Sequence, residues 1–183
     1  LLIVPQFAVA AFSFDYLVSV RGWPPGSAGV LLGAAQLGGA LARLGAGGWS
    51  DRLGLRLRPM RILAVGVTVV LAGLGLTAAL DGPVAVGLLV AASAVSVSTN
   101  GLSNTAVTER AGHAAAGRVM GAQNSGQNLV GAATPPLLGV LIAAAGAGAA
   151  GYALAFAVGA VMAAAAVPCI PVRDEQIVSE IPT

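Results

Sequence analysis

Long uncharged stretches alternate with short clusters of charge along this chain. Residues 62–80, 82–108 and 119–172 contain no Asp, Glu, Lys or Arg. A helix needs about 20 apolar residues to cross the hydrocarbon core of a bilayer. The first two stretches each fit one crossing, and the third fits two, divided by the glycine-rich segment 146–151. With two further apolar runs before residue 50, the pattern predicts six transmembrane helices: 1–20, 26–49, 62–80, 84–107, 119–145 and 149–172.

The composition supports an all-α membrane protein. The chain of 183 residues is 57% hydrophobic and 9% charged, whereas soluble domains carry about 25% charged residues. A transmembrane β-barrel would show alternating apolar and polar positions in segments of about ten residues, and this alternation is absent. We therefore predict one six-helix transmembrane domain, residues 1–172, followed by a tail, 173–183.

The arginines indicate which way the chain lies in the membrane. Cytoplasmic loops are enriched in Lys and Arg. The connections after the second and fourth helices and the tail together carry seven arginines, whereas the opposite side has only Arg21. The odd-numbered helices are therefore expected to run outward, and the tail from residue 173 to be cytoplasmic.

Polar side chains concentrate in four of the six predicted helices. The third and sixth carry very few, and we expect them to be peripheral and to face lipid. Unpaired amides cost several kcal/mol in lipid, so those of the other helices should face other helices or a wet cavity. They either join helices by hydrogen bonds or line a substrate path. The candidates for that path are Gln6, Gln36, Arg43, Ser96, Asn100, Asn104, Gln123 and Gln127.

Two charged residues within the predicted helices allow more than one role. Arg43 could bind an anionic substrate, extend its charged end to the headgroups, or pair with Glu109. Asp15 could be a proton-coupling carboxylate or an acid at the membrane interface. No metal site is predicted, and the single cysteine, Cys169, excludes a cysteine-based metal cluster.

The loop after the second helix carries a recognisable motif. Its sequence Gly47-x-x-x-Asp51-Arg52-x-Gly54-x-Arg56 resembles the signature loop of the major facilitator superfamily, G-x-L-A-D-R-x-G-R-R. That family has the loop between helices two and three, and a weaker copy between helices eight and nine. The resemblance implies that these spans are helices seven to twelve, one half of a twelve-helix fold. Each half is a 3+3 inverted repeat, and the N-terminal six-helix half would be missing here.

The same resemblance implies a function. It points to a secondary transporter of a small solute in a plasma membrane, which we expect to be bacterial, with no cofactor and an unknown proton or ion coupling. In the family, the loop stabilises one state of the transport cycle, and Asp51 could pair with an arginine or cap a helix. The alternatives are an intramembrane enzyme and a channel. The sequence lacks the Gly-x-Ser-x-Gly and His-Glu-x-x-His motifs of hydrolytic enzymes. We therefore predict that the protein is not an enzyme.

Overall fold

The computed structural model describes residues 1–80 and 84–172, and this part holds six helices long and apolar enough to cross a membrane. They are α1 (Ile3–Val20), α2 (Pro25–Leu53), α3 (Leu57–Ala79), α4 (Ala85–Gly112), α5 (Ala114–Ala144) and α6 (Ala149–Cys169). The last turn of α1, Tyr16–Val20, has π-helical hydrogen bonds. The predicted tail, 173–183, lies outside the described residues.

Helices α2 and α3 extend further into the arginine-rich loop than the apolar runs that predicted them. α2 ends at Leu53 rather than at residue 49, and α3 begins at Leu57 rather than at residue 62. Arginine is a good helix former. Charged residues therefore mark where a helix leaves the hydrocarbon, but they do not end the helix itself.

We call the end of the molecule that carries this loop, residues 51–61, the basic end.

Proline and glycine set the limits of these helices. Pro25 occupies the first turn of α2, where its missing N–H leaves no bond unmade. Gly54 ends α2 with a left-handed backbone, φ 62°, a conformation that costs glycine little. Gly112, with φ 67° and ψ 166°, separates α4 from α5. The tight connections at the basic end therefore follow from glycine positions in the sequence.

Each contact between two helices described below has a counterpart in the other half of the chain, in which α1, α2 and α3 are replaced by α4, α5 and α6, and the reverse. α2 approaches α4, where a Cβ added at Gly39 would lie 3.5 Å from the Cα of Ala94. The exchanged pair, α5 and α1, meets where Gly131 faces the ring of Phe7. In the same way α3 lies against α4, and α6 lies against α1. These paired contacts are the ones expected of a 3+3 inverted repeat.

Helices α3 and α6 combine a buried face with an exposed one. They approach each other closely, since a Cβ on Gly75 would lie 3.1 Å from the carbonyl oxygen of Ala153. Leu71, Leu74 and Phe156 are fully buried between the helices, whereas large apolar side chains elsewhere on both helices are exposed. The least buried helices are α2 and α5, with 17% and 22% of their most apolar stretch buried, against 33–50% for the other four.

Candidate functional site

At the basic end, Arg56 joins the motif loop to the end of α4. Its Nε donates to both carboxylate oxygens of Glu109 at 3.1 Å, and its Nη2 donates to Oε1 at 2.9 Å. Its Nη1 donates to the Ser50 hydroxyl at 3.0 Å and to the Asp51 carboxylate. We call Ser50, Asp51, Arg56 and Glu109 the basic-end cluster.

This cluster is ionic but remains open to solvent. The side chain of Arg56 is 22% exposed, while those of Asp51 and Glu109 are 64% and 49% exposed. Hydrogen bonds from Arg56 to Glu109, and then to Asp51, raise the pKa of Arg56 above its already high usual value. The guanidinium therefore keeps its charge at any physiological pH. Exposed ion pairs typically contribute about 0–1 kcal/mol, so this contact can form and break readily.

Two members of the cluster were not among the site residues predicted from the sequence. Ser50 is fully buried, and its hydroxyl donates to the carbonyl oxygen of Leu55 at 2.6 Å, which closes the turn. Glu109 lies 53 residues from its partner Arg56, a separation that no local pattern reveals. Of the two roles considered for Asp51, the structure shows the pairing with an arginine. Arg52 and Gly54 are exposed.

Arg43 lies about two helical turns before Ser50 on α2, on the side away from the basic end. Its side chain packs on α4 at Gly101, where a Cβ would lie 3.0 Å from Nε. Within residues 1–80 and 84–172 it has no hydrogen-bond or ion-pair partner, and Glu109 is engaged by Arg56. It lines a cavity of about 420 Å³ that also reaches Asn104, the motif glycine Gly47 and the cluster.

Amide side chains connect helices nearer the middle of the bundle. The Asn100 amide of α4 donates to Gln6 of α1. The Gln123 amide of α5 donates to Asn104 and to the Ser103 hydroxyl of α4, both at 3.0 Å. None of these side chains is fully exposed. They face neighbouring helices, as the energetics of amides in lipid require.

Two smaller cavities adjoin these amides. One of about 270 Å³ is lined by Asn100 and Gln127, together with residues of α1, α3 and α6. The other, of about 80 Å³, lies between α1, α2 and α4 and is lined by Gln6, Gln36 and Ser96. Seven of the eight candidate path residues thus line one of three cavities, and the eighth, Gln123, is hydrogen-bonded to Asn104 beside one of them.

The Ser96 hydroxyl and the Gln123 amide oxygen are both buried without a hydrogen-bond partner among the described residues. The side chain of Ser96 is 2% exposed. A buried hydroxyl without a partner costs about 1–3 kcal/mol. The adjoining cavity of about 80 Å³ exceeds the roughly 30 Å³ that one water occupies in the liquid. The cavity therefore has room for a water molecule next to this hydroxyl.

Asp15 lies at the other end of the bundle, near the end of α1. Its carboxylate accepts hydrogen bonds from the Ser19 hydroxyl at 2.8 Å and from the Tyr152 hydroxyl of α6. The carboxylate is exposed and ties two helices together. It lies far along α1 from Gln6 and contributes to none of the three cavities described above. Within the described ranges, no three His, Cys, Asp or Glu side chains cluster as metal ligands.

Comparison with known proteins gives a consistent result. The sequence profile of the Major Facilitator Superfamily matches residues 1–135. An MFS-type transporter of Mycobacterium tuberculosis strain ATCC 25618 is 43% identical over 176 residues, which cover 94% of this chain and 38% of the relative. One from strain CDC 1551 is 42% identical with the same coverage.

The chain thus spans little more than a third of the length of these curated relatives. No solved structure matches it. The profile covers well over half of the chain, and the motif loop and the paired helix contacts agree with it. On this evidence, the chain belongs to the Major Facilitator Superfamily.

Proposed function

We propose that the chain forms the C-terminal half of a secondary transporter, which moves a small solute across the membrane by alternating access. The observation that carries this proposal is the distribution of polar groups. The Ser96 hydroxyl, which has no partner in the described part of the chain, adjoins a cavity between helices, as do the side chains of Gln36, Asn100 and Gln127. A solute path needs such polar surface in a bundle that is otherwise apolar.

The basic-end cluster supports the proposal of alternating access. A transporter that opens to each side in turn needs contacts that hold one state and release in the other. Arg56 links the loop after α2 to the end of α4 through exposed carboxylates. Such pairs are weak enough to exchange with water during a cycle. In this proposal, Asp51 and Arg56 of the motif loop form, with Glu109, the contact that favours one state.

The partner in this proposal is the rest of a longer protein. The curated relatives are more than twice as long as the matched region, and a site at the interface of two halves needs both of them. We therefore expect the 183 residues alone not to catalyse uptake. The positive-inside rule favours a cytoplasmic location for the tail from residue 173, and the mycobacterial relatives favour a bacterial plasma membrane.

The proposal is tested with the full-length protein in liposomes. Uptake of a radiolabelled hexose, organic anion and organic cation is measured under an imposed proton or sodium gradient, without ATP. We expect one class to accumulate, and the accumulation to vanish when an ionophore collapses the gradient. Uptake that needs ATP and ignores the gradient would contradict the proposal, as would single-channel currents.

A pair of variants tests the path. Gln127 lines a cavity and makes no hydrogen bond with another described residue, so Gln127→Leu removes polarity without breaking a contact. We expect uptake to fall about tenfold, the equivalent of one lost hydrogen bond to the solute. The control is Thr68→Val on α3, where the hydroxyl bonds its own helix at Ala64. Arg43→Ala should abolish uptake only if the solute is anionic.

A further inference from the structure

The cavity beside Arg43 contains a guanidinium that no described residue engages. Arg43 is exposed, and it makes no hydrogen bond or ion pair with the part of the chain that the structure describes. Arg56 lines the same cavity, of about 420 Å³, but Asp51 and Glu109 already engage it. The two arginines therefore differ, and Arg43 is the one that can bind an anion entering the cavity.

A glycine on α4 determines where the Arg43 side chain lies. A Cβ added at Gly101 would lie 3.0 Å from Nε and 3.3 Å from Cγ of Arg43, so a larger residue there would displace the arginine. Counted from the contact of Gly39 with Ala94, Arg43 is four residues further along α2, and Gly101 is seven further along α4. The side chain therefore extends by about three residues of helical rise, roughly 4.5 Å, toward the basic end. The guanidinium lies between the amides of the bundle and the basic-end cluster.

A second hydrogen-bond donor lines the same cavity. Asn104 follows Gly101 by one turn of α4. Its amide oxygen accepts a hydrogen bond from Gln123 at 3.0 Å, and its amide nitrogen makes no hydrogen bond with another described residue. Guanidinium and amide N–H groups both donate to carboxylate oxygens, and an arginine can hold the two oxygens of one carboxylate through paired hydrogen bonds. The two side chains therefore form a donor set suited to a carboxylate.

The charges around the cavity favour an anion with a single charge. The basic-end cluster has two carboxylates, those of Asp51 and Glu109, and one guanidinium, that of Arg56. Its net charge is therefore −1, which the charge of Arg43 offsets. A monocarboxylate would bring the local sum to −1, whereas a phosphate dianion would bring it to −2, and repulsion between like charges grows as water is excluded. The cavity volume lies within the range of ligand pockets, about 300–1,000 Å³.

We propose that Arg43 and Asn104 bind the carboxylate of a monoanionic organic solute. Arg43 supplies the charge and the paired hydrogen bonds, and the Asn104 amide nitrogen supplies a further donor. Gly101 positions the guanidinium by leaving room for its side chain along α4. This inference rests on the proposed transport function and names the class of solute, organic monocarboxylates, that the path accepts.

The test measures binding separately from transport. The melting temperature of the full-length protein in detergent is measured at constant ionic strength with increasing sodium benzoate, benzamide or phenyl phosphate. Benzoate should raise the melting temperature as it occupies the site, whereas benzamide, a neutral analogue of similar shape, should not. Arg43→Gln should weaken benzoate binding by about tenfold to a hundredfold, the equivalent of losing hydrogen bonds to a charged group. Arg43→Lys keeps the charge but not the paired geometry, so its loss should be smaller.

Two matched controls accompany these variants. Arg61→Gln removes an exposed arginine of α3 that does not line this cavity, and it should bind benzoate as the unaltered protein does. Gly101→Ala should displace the guanidinium and weaken binding several-fold without changing any charge. Gly87→Ala on the same helix, where nothing lies within 4 Å of an added Cβ, should have no effect. If Arg43→Gln aggregates, the comparison of the two glycine variants decides the question.

Several outcomes would overturn the proposal. They are benzoate binding that is unchanged in Arg43→Gln, equal stabilisation by benzamide, stronger stabilisation by phenyl phosphate, and no stabilisation by benzoate. Accumulation of the radiolabelled hexose in liposomes, without benzoate binding, would contradict this inference and leave the transport proposal standing. Benzoate binding that is lost in Arg43→Gln, without uptake of any solute, would contradict the transport proposal and leave the carboxylate site.

Discussion

Among single residues, Arg56 makes the most contacts at the basic end. Arg56→Gln would remove its ion pairs with Asp51 and Glu109. Because these side chains are partly exposed, we expect a loss of about 1 kcal/mol or less in the free energy of unfolding. That corresponds to a fall in melting temperature of at most about 4 °C for a chain of this size. Thermal unfolding in detergent would measure it.

A double-mutant cycle isolates the ion pair from other effects of the substitution. The Arg56→Gln and Glu109→Gln variants and their combination should show a coupling energy of about 0.2–1 kcal/mol. Arg52→Gln serves as the control, because Arg52 has no partner in the described part of the chain. Additive effects of the two substitutions would show that the contact contributes nothing to stability.

Two buried serines of α4 give a second residue-scale prediction. The Ser93 hydroxyl donates to the carbonyl oxygen of Leu89 at 2.9 Å, whereas the Ser96 hydroxyl lacks a partner among the described residues. Ser93→Ala should therefore cost about 0.5–1.5 kcal/mol, and Ser96→Ala should be neutral or stabilising. The melting temperatures of the two variants are measured, so that the same serine-to-alanine change is compared at two neighbouring buried positions. Equal destabilisation would show that Ser96 is hydrogen-bonded, for example to an ordered water.

The sequence predicts the role of a residue only where the chemistry of its side chain allows few roles. The cost of amides in lipid predicted that Asn100 and Gln123 face other helices or a wet cavity, and in the structure each makes a hydrogen bond to a neighbouring helix. The pairing of Arg56 with Glu109 could not be predicted, because it depends on how α2 and α4 pack side by side. Arg43 was given three roles from its depth and charge, and the structure removes the pairing with Glu109 by engaging that carboxylate elsewhere.

At the scale of helices, close approach of α3 and α6 depends on glycine. A side chain at Gly75 would meet the backbone of Ala153 and Ala157 at 3.1–3.4 Å. Backbone atoms cannot move aside as a flexible side chain can, so Gly75→Val should cost about 1–3 kcal/mol. Gly87→Val on α4 is the control, since nothing lies within 4 Å of a Cβ there. Thermal unfolding of both variants measures the difference, and equal melting temperatures would contradict the close packing.

The six helices could be predicted because a membrane-spanning helix depends on the hydrophobicity and charge of its own segment. Six apolar runs bounded by charge gave the six-helix fold, and the structure confirms it. The pairing of helices could not be read from these runs, since α3 and α6 are almost uniformly apolar and offer no polar face to orient them. They were expected to be peripheral, and the structure gives each of them a buried face through Gly75, Leu71 and Phe156.

At the scale of the whole molecule, α2 and α5 expose polar side chains that lipid would not tolerate. Gln36 of α2 and Asn128 of α5 are exposed, and each unpaired amide in hydrocarbon costs several kcal/mol. The exposed apolar residues Val69 of α3 and Val161 of α6 carry no such cost. In the full-length protein we therefore expect the first pair to be shielded from lipid and the second pair to contact it.

Spin labels can separate these two environments. In the full-length protein, Cys169 and every other native cysteine are replaced by serine, single cysteines at positions 36, 128, 69 and 161 are labelled with a nitroxide, and collision with oxygen is measured in bilayers. Oxygen concentrates in hydrocarbon, so labels at 69 and 161 should relax strongly, while labels at 36 and 128 should relax weakly whether protein or water surrounds them. Strong oxygen collision at 36 and 128 would mean that these helices face acyl chains. The amides would then be stabilised by local contacts, and the division of the helices between a solute path and a lipid face would be wrong.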